Sequence, residues 1–114
     1  MIWRIEKQNK YNAKSSIYNG IAYHSQKEAA YAQELDLRIK AKDIKSWKRQ
    51  ERIDLKVNKQ HIANYYVDFL IYHNDGTKEF IEVKGFETEL WRLKWKIFCA
   101  MYENKKNYKL TVIK

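Results

Sequence analysis

Apolar residues recur along the chain at two spacings, and each spacing predicts one kind of element. Runs rich in β-branched and aromatic residues predict strands near positions 47–57, 62–73, 78–84 and 108–113. Apolar residues three and four apart predict helices from about 25 to 42 and from about 87 to 102. The resulting order is helix, three strands, helix, strand, which indicates an α/β fold with helices packed on a hairpin-rich sheet.

Local signals place the ends of these elements and the limits of the domain. Asn19-Gly20 predicts a small hairpin over residues 17–23, because this pair readily takes the positive φ angles of a two-residue turn. The Ser-Gln-Lys-Glu segment at 25–28 forms a capping-box pattern that opens the first helix. Residues 1–16 are polar and basic, so we expect a flexible basic arm there and a single domain over residues 17–114.

Two charged side chains occupy positions where the helical pattern requires apolar ones. Glu28 falls in the middle of the apolar stripe of the first helix, where it either completes the capping box or has a chemical role. Lys94 projects from the centre of the apolar arc of the second helix, which is formed by Leu90, Trp91, Leu93, Trp95, Ile97, Phe98, Met101 and Tyr102. A buried ammonium needs a partner, so Lys94 either reaches solvent at the edge of the helix or meets anionic chemistry beneath it.

The loop between the second and third predicted strands decides whether three further charged residues share one face of the sheet. Asp68 lies inside a strand, and the returning strand carries Glu82 and Lys84 two residues apart, hence on one face. A three-residue loop with Gly76 in the left-handed conformation sets Asp68 opposite Glu82, and this is the loop we expect. A two-residue Asp-Gly turn would set Asp68 opposite Val83 and separate the acids.

Two opposed carboxylates beside a lysine suit the binding of a divalent cation. They repel each other unless a cation or a proton lies between them, and carboxylate oxygens are ligands that Mg²⁺ and Mn²⁺ prefer. Such an ion can polarise a phosphodiester and activate water, while the lysine orients or deprotonates that water. The sequence therefore predicts a Mg²⁺ site in which Mn²⁺ can substitute. The alternative is an ordinary ion pair of Lys84 with Asp68 or Glu82 at a solvated sheet edge.

The amino-acid composition indicates which class of molecule the protein binds. The chain of 114 residues has 23 Lys and Arg against 14 Asp and Glu, and its net charge of +9 favours binding to nucleic acid. No apolar run is typical of a membrane span or of a signal peptide, so we expect a cytoplasmic protein that binds DNA and no membrane. The candidate DNA contacts are basic and aromatic residues of the arm, hairpin and helices: Arg4, Lys7, Lys10, Tyr11, Lys14, Tyr18, Lys27, Arg92 and Lys96.

Asp68 is followed, after thirteen intervening residues, by Glu82-Val83-Lys84. This motif and the order of predicted elements resemble the PD-(D/E)XK nuclease superfamily, although a valine precedes Asp68 where the superfamily's name has proline. The chain also looks like a small phage-encoded domain family of that superfamily, over residues 11–113. The segments that carry this likeness are residues 25–28, 66–69, 81–85 and 88–94. The resemblance implies the superfamily's αβββαβ core, a central mixed sheet flanked by helices.

The resemblance also implies roles for single residues. The metal ligands would be Asp68, Glu82, the carbonyl of Val83 and Glu28, the last matching an acid that the superfamily often supplies from its first helix. Lys84 would be the catalytic lysine. Lys94 and Gln50 correspond to less constant auxiliary positions, which we assign to catalysis and to DNA binding respectively.

Small phage nucleases of this superfamily include resolvases that cut four-way DNA junctions as homodimers, and this chain is similar in size, charge and motif order. We therefore expect a homodimeric, Mg²⁺-dependent and structure-selective DNA endonuclease. Its substrate would be branched DNA such as Holliday junctions, in phage recombination or replication. The alternatives are a non-catalytic DNA-binding module of the same fold and a nuclease that trims flaps or nicks duplexes.

Overall fold

A computed structural model describes residues 15–114 of the protein and the backbone of residues 3–6. In chain order their elements are β1 (Trp3–Glu6), β2 (Ile17–Tyr18), β3 (Ile21–Ala22), α1 (Gln26–Lys40), β4 (Ser46–Val57), β5 (Gln60–Tyr72), β6 (Lys78–Val83), α2 (Glu89–Tyr102) and β7 (Tyr108–Ile113). Each predicted helix and strand is therefore confirmed, with small differences at the ends. Only β1 among these elements lacks a counterpart in the prediction.

Within the described residues, five strands form one mixed sheet in the order β1-β7-β6-β5-β4. β4, β5 and β6 are antiparallel neighbours, whereas β7 runs parallel to both β6 and β1. A parallel pair requires a crossover connection, and α2 provides it between β6 and β7. The predicted α/β class is confirmed. No helix of the described part of the chain is long and apolar enough to cross a membrane.

Each helix covers its own apolar cluster, and the two clusters lie on opposite faces of the sheet. Leu35 of α1 packs in one cluster with Ile81, and Phe98 of α2 packs in the other with Phe80. Phe80 and Ile81 are adjacent on β6, so they point to opposite faces. Burying a side chain of this size contributes about 1.5–3 kcal/mol, and both helices are held in place by such contacts.

The hairpin of β4 and β5 changes faces part-way along its length. Trp47 and Phe69 pack on the α1 side of the sheet, whereas Leu55 and Tyr65 pack on the α2 side. A regular strand keeps every second residue on one face, so the change needs a local irregularity. Gln50 provides it on β4, because its φ of 53° is unusual for a residue within a strand.

α2 buries a narrower stripe than the apolar arc in the sequence predicts. Trp91, Trp95 and Phe98 are buried against the sheet. Leu90 and Leu93 are 62% and 55% exposed, because they lie on the flank of the helix that turns away from the sheet. The predicted arc is therefore wrong for these two leucines.

The loop between β5 and β6 fixes the register of the two acids. The His73 amide donates to the Thr77 carbonyl at 2.9 Å, and Gly76 has a φ of 89°. These are the features of the predicted three-residue loop, which is confirmed. The ladder that follows keeps this register throughout, so Asp68 stands opposite Glu82 and the two-residue turn is excluded.

The short hairpin and the start of α1 form as predicted. Asn19 and Gly20 have φ angles of 52° and 77° in the turn between β2 and β3. Ser25 caps α1, with its hydroxyl accepting a hydrogen bond from the Glu28 amide at 3.0 Å. The cap orients the first turn of the helix, which carries Glu28 towards the sheet.

Part of the predicted N-terminal arm is a strand. Residues 3–6 pair in parallel with β7 at the edge of the sheet, and they form β1 rather than a flexible arm. Four residues of mixed polarity leave no periodic signal in a sequence, which is why the pattern does not predict this strand. The side chain of Arg4 and the residues Lys7, Lys10, Tyr11 and Lys14, all predicted DNA contacts, lie outside the described residues.

Candidate active site

Asp68 and Glu82 occupy the point where β5 and β6 part. The backbone ladder between these strands ends at Phe69 and Ile81. Beyond it, side chains take over the hydrogen bonds: the Asp68 amide donates to Glu82 Oε2 at 3.2 Å, and the Val83 amide donates to Asp68 Oδ2 at 2.8 Å. Each carboxylate is thus fixed by the backbone of the opposite strand, and the two acids face each other.

Burial and mutual repulsion disfavour negative charge on this pair. Asp68 is 8% exposed and Glu82 is 3% exposed. The pKa of Asp68 is raised, first by loss of solvation and then by the neighbouring Glu82 and Glu28 carboxyl groups. Burial also raises the pKa of Glu82, although the Lys84 ammonium lowers it in part. A cation or a proton between the two acids would relieve this repulsion.

Lys84 places a positive charge beside the pair. Its Nζ lies 3.5 Å from Glu82 Oε1 and 4.9 Å from the ring centroid of Trp91, so the ammonium sits between a carboxylate and an aromatic face. Lys84 and Glu82 share a face of the sheet, as their spacing predicts. A solvated ion pair at a sheet edge would explain this contact but not the burial of both acids.

Tyr65 and Trp91 form a hydrogen-bonded pair beside Glu82. The indole Nε1 of Trp91 donates to the Tyr65 hydroxyl at 3.1 Å, and the Tyr65 hydroxyl and the Glu82 carboxylate are close enough to shift each other's pKa. Burial is the largest cause of the raised pKa of Tyr65, which keeps its proton in place. Sequence reasoning missed this pair. The available signal was a tyrosine in a buried strand, which needs a partner for its hydroxyl.

Glu28 enters the site from α1. Its Oε2 accepts a hydrogen bond from the amide of His24 at 3.3 Å, one residue before the N-cap Ser25, so the return of the glutamate to the N-cap amide that a capping box requires is not formed. Its Oε1 is buried and has no hydrogen-bond partner among the described residues. Burial raises the pKa of Glu28. A carboxylate oxygen of Glu28 lies within 4.8 Å of one of Asp68, so Glu28 joins the cluster of acids.

An open cleft of about 410 Å³ is lined by Asp68, Glu82 and Lys84, whereas Glu28 does not line it. Lys94 lies at its mouth, where its Nζ donates to the Asn64 carbonyl at 3.3 Å. The Lys94 side chain therefore lines the same cleft as Asp68 and Glu82 without a direct contact to either acid among the described hydrogen bonds and ion pairs. The predicted site residues that line this cleft are Gln50, Asp68, Glu82, Lys84 and Lys94.

A family model described as "Protein of unknown function (DUF1064)" matches residues 8–114. The chain belongs to the DUF1064 family. No curated protein and no solved structure matches it. All the site residues described above lie inside the DUF1064 match.

Tyr18 of this DUF1064 chain makes a structural contact within the protein. Its hydroxyl donates to Asp36 Oδ2 at 2.6 Å, and this hydrogen bond is the largest cause that raises the pKa of Tyr18 to about 12. The other oxygen of Asp36 accepts from the indole of Trp47 at 2.8 Å. One carboxylate of α1 therefore holds both the β2–β3 hairpin and β4, and the contact of Tyr18 with DNA stays a prediction.

Two further predicted DNA contacts of the DUF1064 chain, Arg92 and Lys96, lie beside the cleft. Arg92 is exposed and contacts Glu87 Oε1 through its Nε at 3.4 Å. Arg92 and Lys96 line a second groove of about 180 Å³, whose wall includes Trp91. Because Trp91 also borders the main cleft, the two depressions are adjacent. Lys27 lies in the first turn of α1, one residue before Glu28.

Proposed function

We propose that this chain is a metal-dependent endonuclease that hydrolyses phosphodiester bonds in DNA, with branched DNA as its substrate. The observation that carries the proposal is the buried, directly opposed pair of Asp68 and Glu82 with the Lys84 ammonium beside it. A protein without a catalytic or ion-binding task has no physical need to hold such acids together.

The residues present fit a divalent cation. Two carboxylates with raised pKa values face each other, and a carboxylate oxygen of the buried Glu28 lies within 4.8 Å of one of Asp68. Asp68 and Glu82 would hold Mg²⁺, or Mn²⁺ in its place, with Glu28 and the Val83 carbonyl as further oxygen donors. When bound, the ion would polarise the scissile phosphate and lower the pKa of a water molecule.

The chain's own groups then have distinct tasks. Lys84 orients the attacking water and offsets the negative charge that develops on the phosphate. Tyr65, whose hydroxyl lies beside the Glu82 carboxylate, helps to keep that carboxylate in position. Gln50 and Lys94, at the edge of the cleft, contact the DNA backbone on either side of the bond that is cut.

The net charge of +9 supports a polyanionic substrate, and the likeness to junction resolvases supports branched DNA. The likeness to junction resolvases also leads us to propose a homodimer, because a single 114-residue domain covers too little surface to contact two strands of a junction. Light scattering at micromolar concentration should give twice the mass of one chain. A monomeric mass with and without DNA would contradict the dimer.

Cleavage assays test the function directly. Labelled four-way junction, flap, single-stranded and linear duplex DNA are incubated with the protein and either Mg²⁺ or EDTA. We expect cutting of the junction only with Mg²⁺, and loss of cutting in Glu82→Gln and Lys84→Ala.

Matched controls come from the same strand. Glu79 is a buried glutamate of β6 that contacts His73 and Thr111, and Lys78 begins that strand away from the cleft. Glu79→Gln and Lys78→Ala should retain activity in proportion to their folded fraction. Tight junction binding without cutting under every condition would contradict the nuclease and favour a non-catalytic DNA-binding module. Preferred cutting of flap or duplex DNA would contradict only the branched-DNA assignment.

A further inference from the structure

His24 is a member of the cleft that the predicted nuclease residues do not include. It precedes the cap of α1, and its imidazole Nδ1 lies 3.6 Å from Glu28 Oε2. A ring nitrogen of His24, a carboxylate oxygen of Glu28 and one of Asp68 all lie within 4.8 Å of one another. Three potential ligand atoms from three different chain positions therefore converge beside the opposed acids.

The Glu28 carboxylate gives a second observation that points to a ligand. The residue is 3% exposed, and its Oε1 has no hydrogen-bond partner among the described residues. A buried carboxylate oxygen without a partner is costly unless something binds it. The His24 amide and imidazole both lie near Oε2, so neither of them satisfies Oε1.

The donor atoms indicate which cation fits. Mg²⁺ prefers oxygen ligands alone, whereas imidazole nitrogen is a good ligand for Zn²⁺ and for other first-row transition metal ions. We propose that His24, Glu28 and Asp68 form a second cation position that selects a transition metal ion, Mn²⁺ or Zn²⁺, over Mg²⁺. The inference rests on the proposed function and deepens it, since the second position shares Asp68 and Glu28 with the Mg²⁺ site, but it concerns ion selectivity rather than cleavage.

Binding measurements on the whole chain test this position without any substrate. Isothermal titration calorimetry with MnCl₂, ZnCl₂ and MgCl₂ gives affinities and stoichiometries, and thermal denaturation with each salt gives an independent readout. We expect His24→Ala to weaken Mn²⁺ and Zn²⁺ binding tenfold or more and to change Mg²⁺ binding less than threefold. The His24 side chain is 77% exposed, so its truncation should leave the fold intact.

Two further variants sharpen the test. His24→Asp replaces the nitrogen donor with oxygen, so it should shift the preference back towards Mg²⁺. His61→Ala is the matched control, because His61 is another exposed histidine that contacts a carboxylate, that of Asp54, outside the cleft. It should bind all three ions as the unmodified protein does.

The outcomes separate this inference from the proposed function. Mn²⁺ and Zn²⁺ binding that is unchanged in His24→Ala would overturn the second cation position and leave His24 as a simple partner of Glu28. Mg²⁺ binding that Glu82→Gln abolishes would still support the nuclease site in that case. Absence of binding of any of the three ions to the unmodified protein would overturn both.

Discussion

At the scale of single residues, Asp68 and Glu82 dominate the electrostatics of the described structure. Burial and mutual repulsion raise the pKa of both. An acid with a raised pKa binds more protons in the folded state than in the unfolded chain, between its ordinary pKa and its raised one. Its contribution to stability is therefore complete below the ordinary carboxyl pKa, and it is lost as pH rises through the raised value.

The direction of this pH dependence of stability gives a prediction for the metal-free protein. In EDTA, Asp68→Asn should raise the free energy of unfolding at pH 8 by about 1–3 kcal/mol relative to the unmodified chain, with little difference at pH 4. Asparagine can still accept the hydrogen bond from the Val83 amide, so the geometry should persist. Urea denaturation at several pH values measures the difference. A difference that does not depend on pH would contradict the raised pKa.

Tyr65 gives a second prediction at this scale. Tyr65→Phe removes the hydroxyl that accepts from Trp91 beside the Glu82 carboxylate, so Mg²⁺ affinity and cleavage rate should fall about tenfold or more. The free energy of unfolding should fall by about 1 kcal/mol. Tyr72→Phe is the control, because Tyr72 lies on the same strand and does not line the cleft. Equal effects of the two substitutions on cation binding would contradict the positioning role.

At the scale of elements, the β5–β6 loop carries the register on which the site depends. Gly76 holds a φ of 89°, which strains any residue with a Cβ atom. Gly85 follows β6, does not have a positive φ and has open space around it. An added Cβ atom would meet no other atom within 4 Å at either position, so the two glycines differ in backbone conformation rather than in the space around them.

Gly76→Ala should lower the free energy of unfolding by about 1–2 kcal/mol, because alanine is disfavoured in the left-handed region. Gly85→Ala, the matched control, should change it by less than about 0.5 kcal/mol. Chemical denaturation of both variants measures the contrast. Equal stability of the two variants would show that the loop does not need a left-handed residue.

The elements also show how far the sequence could predict this structure. Strand spacing and the residues of the loop were sufficient to place Asp68, Glu82 and Lys84 on one face of the sheet. All three residues belong to one short hairpin, and its register depends on residues that are close together in the sequence. Tyr65 and His24 could not be placed in the same way. Tyr65 reaches the site because the β4–β5 hairpin changes faces, and His24 reaches it because α1 packs across the sheet. Both depend on packing between distant parts of the chain.

At the scale of the whole molecule, the charge of +9 determines how binding to DNA should respond to salt. Each phosphate that a lysine or arginine neutralises releases counterions, so the logarithm of affinity falls linearly with the logarithm of salt concentration. Lys94 lies at the mouth of the cleft, next to the acids. Lys40 ends α1, the helix whose other end carries Glu28, and it is exposed.

Lys94→Ala should therefore reduce the salt slope of junction binding by about one, and Lys40→Ala should leave it unchanged. Fluorescence anisotropy with catalytically inactive Glu82→Gln as the common background measures both slopes without cutting. Equal slopes for the two lysine variants would place the DNA away from the cleft mouth.

Where β5 and β6 separate, two backbone amide protons can report on ligand binding at the site. The amides of Asp68 and Val83 are protected by carboxylate oxygens instead of carbonyls. Their exchange with deuterium therefore depends on what those carboxylates hold, whereas neighbouring ladder amides report only on strand opening. Binding of a ligand to Asp68 or Glu82 should therefore change the deuterium exchange rates of these two amides, and the measurement needs no substrate.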